Sequence, residues 1–161
     1  MNEAMKIKPK IAKYLSGKIL DIGCGDKKIT DMAIGIDGRD LPSVDIVLKD
    51  KFDIYNLHMK EELQNVNVIF SSHVLEHLYE PYTFIWSTNA MLSVGGYLIL
   101  YLPDGRKYDD FSNPEHLHTF RYEIFLRWFK ASFDDQFEIV ESDLDIEEDD
   151  HYSFYIVAKK R

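Results

Sequence analysis

The sequence has almost no cysteine, fewer basic than acidic residues and no long apolar run. Cys24 is the single cysteine, which excludes an intrachain disulfide and fits a reducing compartment. No apolar stretch approaches the length that spans a bilayer, and the first residues lack the apolar core of a signal peptide. We therefore expect a soluble, cytoplasmic protein without a membrane partner.

The charge balance argues against a nucleic-acid partner. Nineteen Lys and Arg residues stand against 28 Asp and Glu residues, which gives a formal net charge of -9. Such a surface repels a phosphate backbone unless its basic residues gather on one face. The basic cluster near the start of the sequence is interpreted as a solvated helix face; it consists of Lys6, Lys8, Lys10, Lys13 and Lys18.

The length and the order of apolar segments predict one α/β domain over residues 1–161. Short apolar runs typical of buried strands alternate with segments of helical pattern, which predicts a mostly parallel sheet covered on both faces. The predicted strands are 18–22, 34–37, 44–48, 66–70, 97–102, 137–146 and 152–159, and the predicted helices are 7–14, 26–32, 81–92 and 121–130. The last two strands flank an acidic turn and are predicted to pair antiparallel.

Local signals refine this outline at three places. Ser71 and Ser72 are good N-cap residues and are predicted to start a helical turn after the fourth strand. Gly95 and Gly96 are predicted to end the helix that precedes the fifth strand. Residues 103–114 are polar and are predicted to form a long loop that shapes a site.

The first predicted strand ends in an acid and a glycine turn. Asp21 is followed by Gly23 and Gly25, and glycine lets a ligand approach the backbone closely, where the next helix would present free N–H groups. The third glycine of a dinucleotide site is absent, because Asp26 and Lys27 follow, and a carboxylate at Asp21 is badly placed beside phosphates. A ligand that carries an ammonium and a sulfonium would instead be attracted by Asp21.

A second acid, Asp37, ends the next predicted strand. An acid at this position can accept both hydroxyls of a ribose, as in dinucleotide-binding folds. A simple turn cap is the alternative. The preceding Gly35 favours the ribose, because strand end, acid and glycine coincide.

Motifs that occur in order along the chain extend this pattern; they are Ile19-Leu20-Asp21-Ile22-Gly23-Cys24-Gly25, Gly35-Ile36-Asp37, His73-Val74-Leu75-Glu76-His77-Leu78 and Gly95-Gly96-Tyr97-Leu98-Ile99. Together they show that the sequence resembles the class I S-adenosylmethionine-dependent methyltransferases, especially the small type 11 group. The resemblance covers nearly the whole chain. It implies a Rossmann-like three-layer sandwich with a mostly parallel seven-stranded sheet, a C-terminal antiparallel strand pair, and S-adenosylmethionine as cofactor.

The resemblance also implies a site at the first two strand ends. Asp21, Gly23 and Gly25 would surround the methionine part of the cofactor, and Asp37 would hold the ribose. Cys24 lies between the two glycines and belongs to the same predicted site, with its side chain as a small buried filler.

The remaining predicted cofactor residues follow the third and fourth strands. Adenine recognition would fall to Asp53 with Ile54, with Asp50 as a competing acid. Ser71 and His73 would line the methionine end. The segment after Gly25 is shorter than is usual in the family, which leaves a weaker or more exposed site open as an alternative.

Histidines are the candidate catalytic residues. Methyl transfer from a sulfonium depends mainly on positioning, but a weak acceptor such as a hydroxyl gains from a base near neutral pH. His77, His116 and His118 are the candidates, with His73 behind them, and a packing role is the alternative for each. With Glu76 they could also bind zinc or iron, but their spacing matches no known tight site, and we expect no metal.

These observations favour an S-adenosylmethionine-dependent methyltransferase that acts on a small-molecule or sugar-like acceptor. A homodimer is compatible with the sequence. A methyltransferase-like module that binds or regulates without catalysis is the alternative, because a fold alone does not establish turnover. A nicotinamide-dependent oxidoreductase is disfavoured by the missing third glycine.

Overall fold

The sheet and helices are seen in a computed structural model that describes residues 4–108, 113–144, 146–147 and 150–161. The helices are α1 (Ala4–Ile11), α2 (Pro81–Met91) and α3 (Tyr122–Phe133), and 3-10 helices cover Ala12–Tyr14, Asp53–Met59, Glu61–Leu63 and Leu75–His77. The strands are β1 (Ile19–Ile22), β2 (Ile34–Asp37), β3 (Ile46–Val47), β4 (Val66–Ser72), β5 (Leu92–Pro103), β6 (Phe137–Asp143) and β7 (Ser153–Lys160).

These strands form a seven-stranded sheet in the order β3-β2-β1-β4-β5-β7-β6. The strands from β1 to β5 pair in parallel, and β7 inserts antiparallel between β5 and β6. The predicted Rossmann-like sheet with its C-terminal antiparallel pair is therefore confirmed. Its consequence for the site is that β1, β2 and β4 all end at the same edge.

Alternate residues of the central strands point to opposite faces, and each face has its own core. Val68 and Phe70 of β4 pack with Ile7 of α1 on one face. Ile69 packs with Phe84 of α2 on the other face, which α3 also covers. The sheet is thus the middle of three layers. Within the ranges described, each helix is too short or too polar for a bilayer crossing.

The helix predicted over residues 26–32 is absent, and this segment consists of turns. Residues 23–33 must lead from the end of β1 back to the start of β2, whereas a helical crossover needs about a dozen residues or more. The carboxylate of Asp21 accepts the N–H of Ile29 and so satisfies a backbone donor of the turn segment. The prediction of helical N–H groups at the glycine turn was therefore wrong.

The fifth strand begins earlier than predicted, directly after α2. Gly95 and Gly96 lie inside β5, where Gly95 has a φ of 78°. A Cβ on Gly96 would lie 2.9 Å from the carbonyl oxygen of Asn67 in β4, so this close approach of the two strands requires glycine. The predicted helix stop is instead an irregularity at the start of a strand.

Two further segments differ from the sequence expectation. Ser71 and Ser72 continue β4 and do not cap a helix, because they keep pairing with β5. The 3-10 helices between β3 and β4 were not predicted, although Leu57 and Leu63 within them are fully buried. Their isolated apolar residues show no extended helical period.

Candidate cofactor cleft

A cleft of about 180 Å³ lies where the parallel strands end. This is the edge of an open α/β sheet at which ligands bind in general. Strands β1, β2 and β4 bring the lining residues together, since Ile22 is in register with both Ile36 and Ser71. The cleft is lined by Ile22, Gly23, Asp37, Gly38, Leu48, Ile54, His73, Val74 and His77.

The glycine turn forms one wall of the cleft, and its Gly23 has no room for a side chain. Gly23 has a φ of 80°, and a Cβ there would lie 2.1 Å from Cγ2 of Val74. Its N–H donates to the carbonyl of Ile36 over 2.7 Å. Gly25 also has a positive φ, of 60°. The backbone of the turn is therefore held close to the cleft in a conformation that other residues rarely adopt.

Asp37 contributes a negative charge to the cleft. Oδ2 accepts the N–H of Gly25 over 2.9 Å, and Oδ1 accepts the N–H and Nε–H of Arg39 over 2.9 and 3.1 Å. Burial alone would raise the pKa of Asp37, but the hydrogen bonds from Arg39 and Gly25 outweigh it and lower the pKa. The carboxylate is thus ionised, and Arg39 covers it with a side chain that is 68% exposed.

Asp21 lies beneath the glycine turn and is 1% exposed. Its carboxylate accepts the N–H of Ile29 and is not part of the cleft wall. Burial raises its pKa to about 7, and the nearby charge of Asp37 acts in the same direction. The two acids therefore share one region, but only Asp37 faces the cleft.

Cys24 and Ser71 lie behind the cleft. The thiol of Cys24 is buried next to the carbonyl of Ser43, and burial raises its pKa to about 12, so it stays neutral. The hydroxyl of Ser71 is buried and has no hydrogen-bond partner among the residues described. The side chain of Cys24 thus fills space, and Ser71 places a hydroxyl under the end of β4.

Of the two residues predicted for adenine recognition, only Ile54 lines the cleft. Ile54 lines the cleft together with Leu48, which sequence reasoning missed. Asp53 instead accepts the N–H groups of Lys49 and Asp50 over 3.0 and 3.1 Å. Asp53 thus stabilises its own loop, while an apolar wall remains at this end of the cleft.

His73 and His77 also line the cleft. His73 has a φ of 52°, and its ring meets the ring of Tyr101 edge-on at 5.0 Å. Nδ1 of His77 is 3.0 Å from the carbonyl oxygen of Glu115, to which it donates. The ring of His116 is edge-on to His77 at 4.6 Å. The predicted convergence of the two histidine segments is thus present.

His118 is separated from these rings. Its Nε2 donates to the carbonyl of Leu78 over 2.8 Å. It lines a different and larger cavity, of about 660 Å³, beside α2 and α3. Of the candidate catalytic residues, His77 and His116 therefore approach the cofactor cleft and His118 does not.

Aromatic side chains that the sequence did not single out surround the histidines. Tyr108 stacks on His116 with ring centroids 5.1 Å apart, and the ring centroids of Tyr152 and His73 are 6.1 Å apart. Lys6 of α1 donates to the Tyr152 hydroxyl over 3.2 Å. The predicted site-shaping loop supplies Tyr108, while its residues 109–112 lie outside the described chain.

Solved structures share this architecture. An S-adenosylmethionine-dependent methyltransferase from Archaeoglobus fulgidus superposes with a TM-score of 0.65 at 15% identity, over 98% of this chain and 95% of that one. The 1,6-didemethyltoxoflavin-N1-methyltransferase of Burkholderia thailandensis, solved with S-adenosylhomocysteine, gives 0.70 at 14% identity over 98% and 78%. The N-methyltransferase NodS of Bradyrhizobium japonicum, also with S-adenosylhomocysteine, gives 0.65 at 14% over 97% and 84%.

Neither a protein-family model nor a curated protein matches the sequence. The likeness is therefore one of fold, and it extends over almost the whole of the chain and most of each of these structures. The mostly parallel seven-stranded sheet with its antiparallel C-terminal strand pair agrees with it. The chain has the fold of the class I S-adenosylmethionine-dependent methyltransferases.

Proposed function

We propose that the protein is an S-adenosylmethionine-dependent methyltransferase that acts on a small-molecule or sugar-like acceptor. One observation carries the proposal: the ionised carboxylate of Asp37 lies on a cleft whose other wall is the turn at Gly23, at the carboxyl ends of the parallel strands. This combination suits a ligand with a ribose and a positive charge better than one with a pyrophosphate.

The cleft residues divide into parts that match the donor. Asp37 would accept the ribose hydroxyls, which requires the exposed Arg39 to release one carboxylate oxygen. Leu48 and Ile54 would cover the flat face of the adenine with apolar surface. The methionine part would then lie along the turn at Gly23, toward His73.

Asp21 would act on the donor through its charge and not by direct contact. It is buried under the turn and fixes the backbone through the N–H of Ile29. A positively charged ligand above the turn favours the ionised form of Asp21, because the carboxylate is buried and its charge is poorly screened. Asp21 thus supports the predicted binding of the methionine part from below.

The acceptor would approach past the histidines. The donor, when bound, supplies an activated methyl group on a sulfonium, so the protein chiefly has to position the acceptor. His77 and His116 are the imidazoles that would contact the acceptor, because His77 lines the cleft and His116 packs against it, whereas His118 lines a different cavity. The rings of Tyr108 and Tyr152 offer faces on which a flat or sugar ring can pack.

Binding of S-adenosylhomocysteine, measured by calorimetry, tests the cofactor. We expect one site per chain and no binding of NAD at the same concentration, because the third glycine of a dinucleotide site is absent. Failure to bind S-adenosylhomocysteine would overturn the proposal.

Transfer of labelled methyl groups to fractions of a metabolite extract tests the activity. We expect label in a small-molecule fraction. Tight donor binding without transfer to any fraction would favour the non-catalytic binding module. The absence of a helix after Gly25 gives that alternative its physical basis, since no helix N-terminus faces the donor.

A further inference from the structure

The carboxylate of Glu76 is buried without a hydrogen bond. The side chain is 0% exposed, and neither Oε1 nor Oε2 has a hydrogen-bond partner among the described residues. The ring nitrogens that approach Oε1 are Nδ1 of His73, at 3.5 Å, and Nε2 of His77, at 3.9 Å. Burying a carboxylate without such bonds is costly, so this site requires a compensating cation or proton.

Two imidazoles face the carboxylate from different parts of the chain. One ligand atom from each of Glu76, His77 and His116 can be chosen so that all lie within 4.8 Å of one another. In a tetrahedral site with bonds of about 2.1 Å, ligand atoms lie about 3.4 Å apart. Small rotations of side chains would therefore bring the three atoms to coordinating distance around one ion.

Backbone hydrogen bonds fix the relative position of the two segments. The carbonyl of Glu76 accepts the N–H groups of Leu117 and His118 over 2.8 and 3.1 Å. This attaches the segment that carries His116 to the 3-10 helix that carries Glu76 and His77. The three side chains are thus held together by a rigid support, as ligand sites require.

The rings are also oriented in the manner of metal ligands. His77 donates its Nδ1–H to the carbonyl of Glu115, which leaves the lone pair of Nε2 on the side of Glu76. A hydrogen bond from the second ring nitrogen to a carbonyl is the usual support of a metal-bound histidine. Tyr108 stacks on His116 with an angle of 18° between the rings and so restrains its plane.

We propose that Glu76, His77 and His116 bind one divalent transition-metal ion. Two imidazoles and one carboxylate suit zinc, cobalt, nickel or ferrous iron, whereas magnesium and calcium prefer oxygen ligands alone. Three protein ligands leave at least one coordination position for water or a ligand, as in catalytic metal sites. From the sequence, zinc or iron was considered at these residues but no metal was expected, because their spacing along the chain matches no known tight site and His116 joins the pair from a distant segment.

A role for the ion follows if the proposed function holds. His77 belongs both to the ligand set and to the wall of the cofactor cleft. An ion bound there would lie at the end of the cleft where the acceptor approaches, and its open position would hold an oxygen atom of the acceptor. The existence of the site does not depend on this role.

Titration of the metal-free, untagged protein with cobalt chloride or zinc chloride, without donor, tests the site. We expect one ion per chain by calorimetry and, for cobalt, visible absorption bands that indicate imidazole and carboxylate ligation. Glu76→Gln and His116→Ala should each weaken binding at least tenfold. Glu76→Gln keeps the shape of the side chain and removes a buried charge, so its folding should be retained.

Matched controls distinguish this site from general surface binding. Glu115→Gln removes an exposed carboxylate next to His116, and His58→Ala removes a histidine outside the cluster; both should bind metal like the wild type. Absence of stoichiometric binding would overturn the site. Equal binding by wild type and Glu76→Gln would also overturn it.

The same metal-free sample separates this proposal from the proposed function. S-adenosylhomocysteine should bind it through Asp37 and the glycine turn, which are not metal ligands. Donor binding without metal binding would reject the metal site alone. Metal binding without donor binding would reject the methyltransferase alone.

Discussion

The N–H of Gly25 donates to Oδ2 of Asp37 over 2.9 Å. This bond joins the glycine turn after β1 to the acid that ends β2, so that the two predicted donor-binding features behave as one unit. A ligand that contacts Asp37 therefore also affects the turn at Gly25. The predictions that follow begin with this unit.

Asp37→Ala should weaken S-adenosylhomocysteine binding at least tenfold. Hydrogen bonds to a charged group contribute about 1.5–3 kcal/mol, and about 1.4 kcal/mol corresponds to a factor of ten in Kd. Calorimetry on both proteins measures the change. Asp40→Ala removes a nearby exposed acid and should leave Kd unchanged; equal affinities of wild type and Asp37→Ala would contradict the ribose assignment.

Arg39→Ala should strengthen donor binding by up to about fivefold. The Arg39 guanidinium is largely exposed and occupies the carboxylate that the ribose would use. Exposed ion pairs contribute about 0.2–1 kcal/mol, which the ribose would have to overcome to displace Arg39 from Asp37. The variant has no such ion pair, so this free-energy cost disappears. Arg127→Ala on α3 removes the same charge elsewhere. Weaker binding by Arg39→Ala would show instead that Arg39 contacts the donor.

Gly23→Ala should destabilise the protein by about 2–5 kcal/mol in urea denaturation. The left-handed backbone costs about 1–2 kcal/mol for alanine, and the clash with Val74 adds about 1–3 kcal/mol. Gly38→Ala is the matched control, because a Cβ there would meet nothing within 4 Å. Adding Val74→Ala to Gly23→Ala should restore the part of the free energy of unfolding that is lost through the clash. Equal stability of Gly23→Ala and Gly38→Ala would disprove the argument.

Asp21 should make the protein less stable as the pH rises from about 4 to about 7. Its pKa is raised from 3.8 to about 7 by burial, so the folded state binds more protons than the unfolded state in this interval. The free energy of unfolding then falls by at most about 1.4 kcal/mol per pH unit. Asp37 has a lowered pKa, so its contribution to the free energy of unfolding changes in the opposite direction and is lost as the pH falls, in a lower pH range.

Urea denaturation of Asp21→Asn over this pH range measures the effect. The amide oxygen can still accept the N–H of Ile29, but it does not titrate. The stability of the variant should therefore depend less on pH than that of the wild type. Parallel curves for the two proteins would show that Asp21 does not titrate in this range.

The sequence predicted the sheet well because apolar runs and parallel connections leave few arrangements open. The end of β2 at Asp37 was correctly predicted, since an acid directly after Ile36 interrupts the apolar run. The helix over 26–32 was wrongly predicted, because the connection between β1 and β2 is too short for a helical crossover. This constraint depends on the positions of the two strands and is not visible in the local sequence pattern. Gly95 and Gly96 were misread for a similar reason, as the close approach of Asn67 is a tertiary contact.

For the candidate site, the sequence located some of the lining residues but not the surroundings of the acidic ones. Ile54 and His73 line the cleft as the family pattern implies. The loop bonds of Asp53 and the burial of Asp21 depend on backbone groups that a sequence does not locate. The burial of the Glu76 carboxylate was equally hidden, because it depends on how the 3-10 helix Leu75–His77 packs in the fold.

The position of β7 inside the sheet affects how the chain can acquire its structure during synthesis. Strand β6 leaves the ribosome before β7 but can join β5 only through it. Until residues Ser153–Lys160 emerge, β5 presents an open edge to other chains, which is a template for aggregation. The order in which the strands are made therefore leaves the edge of β5 open to aggregation until β7 can pair with it.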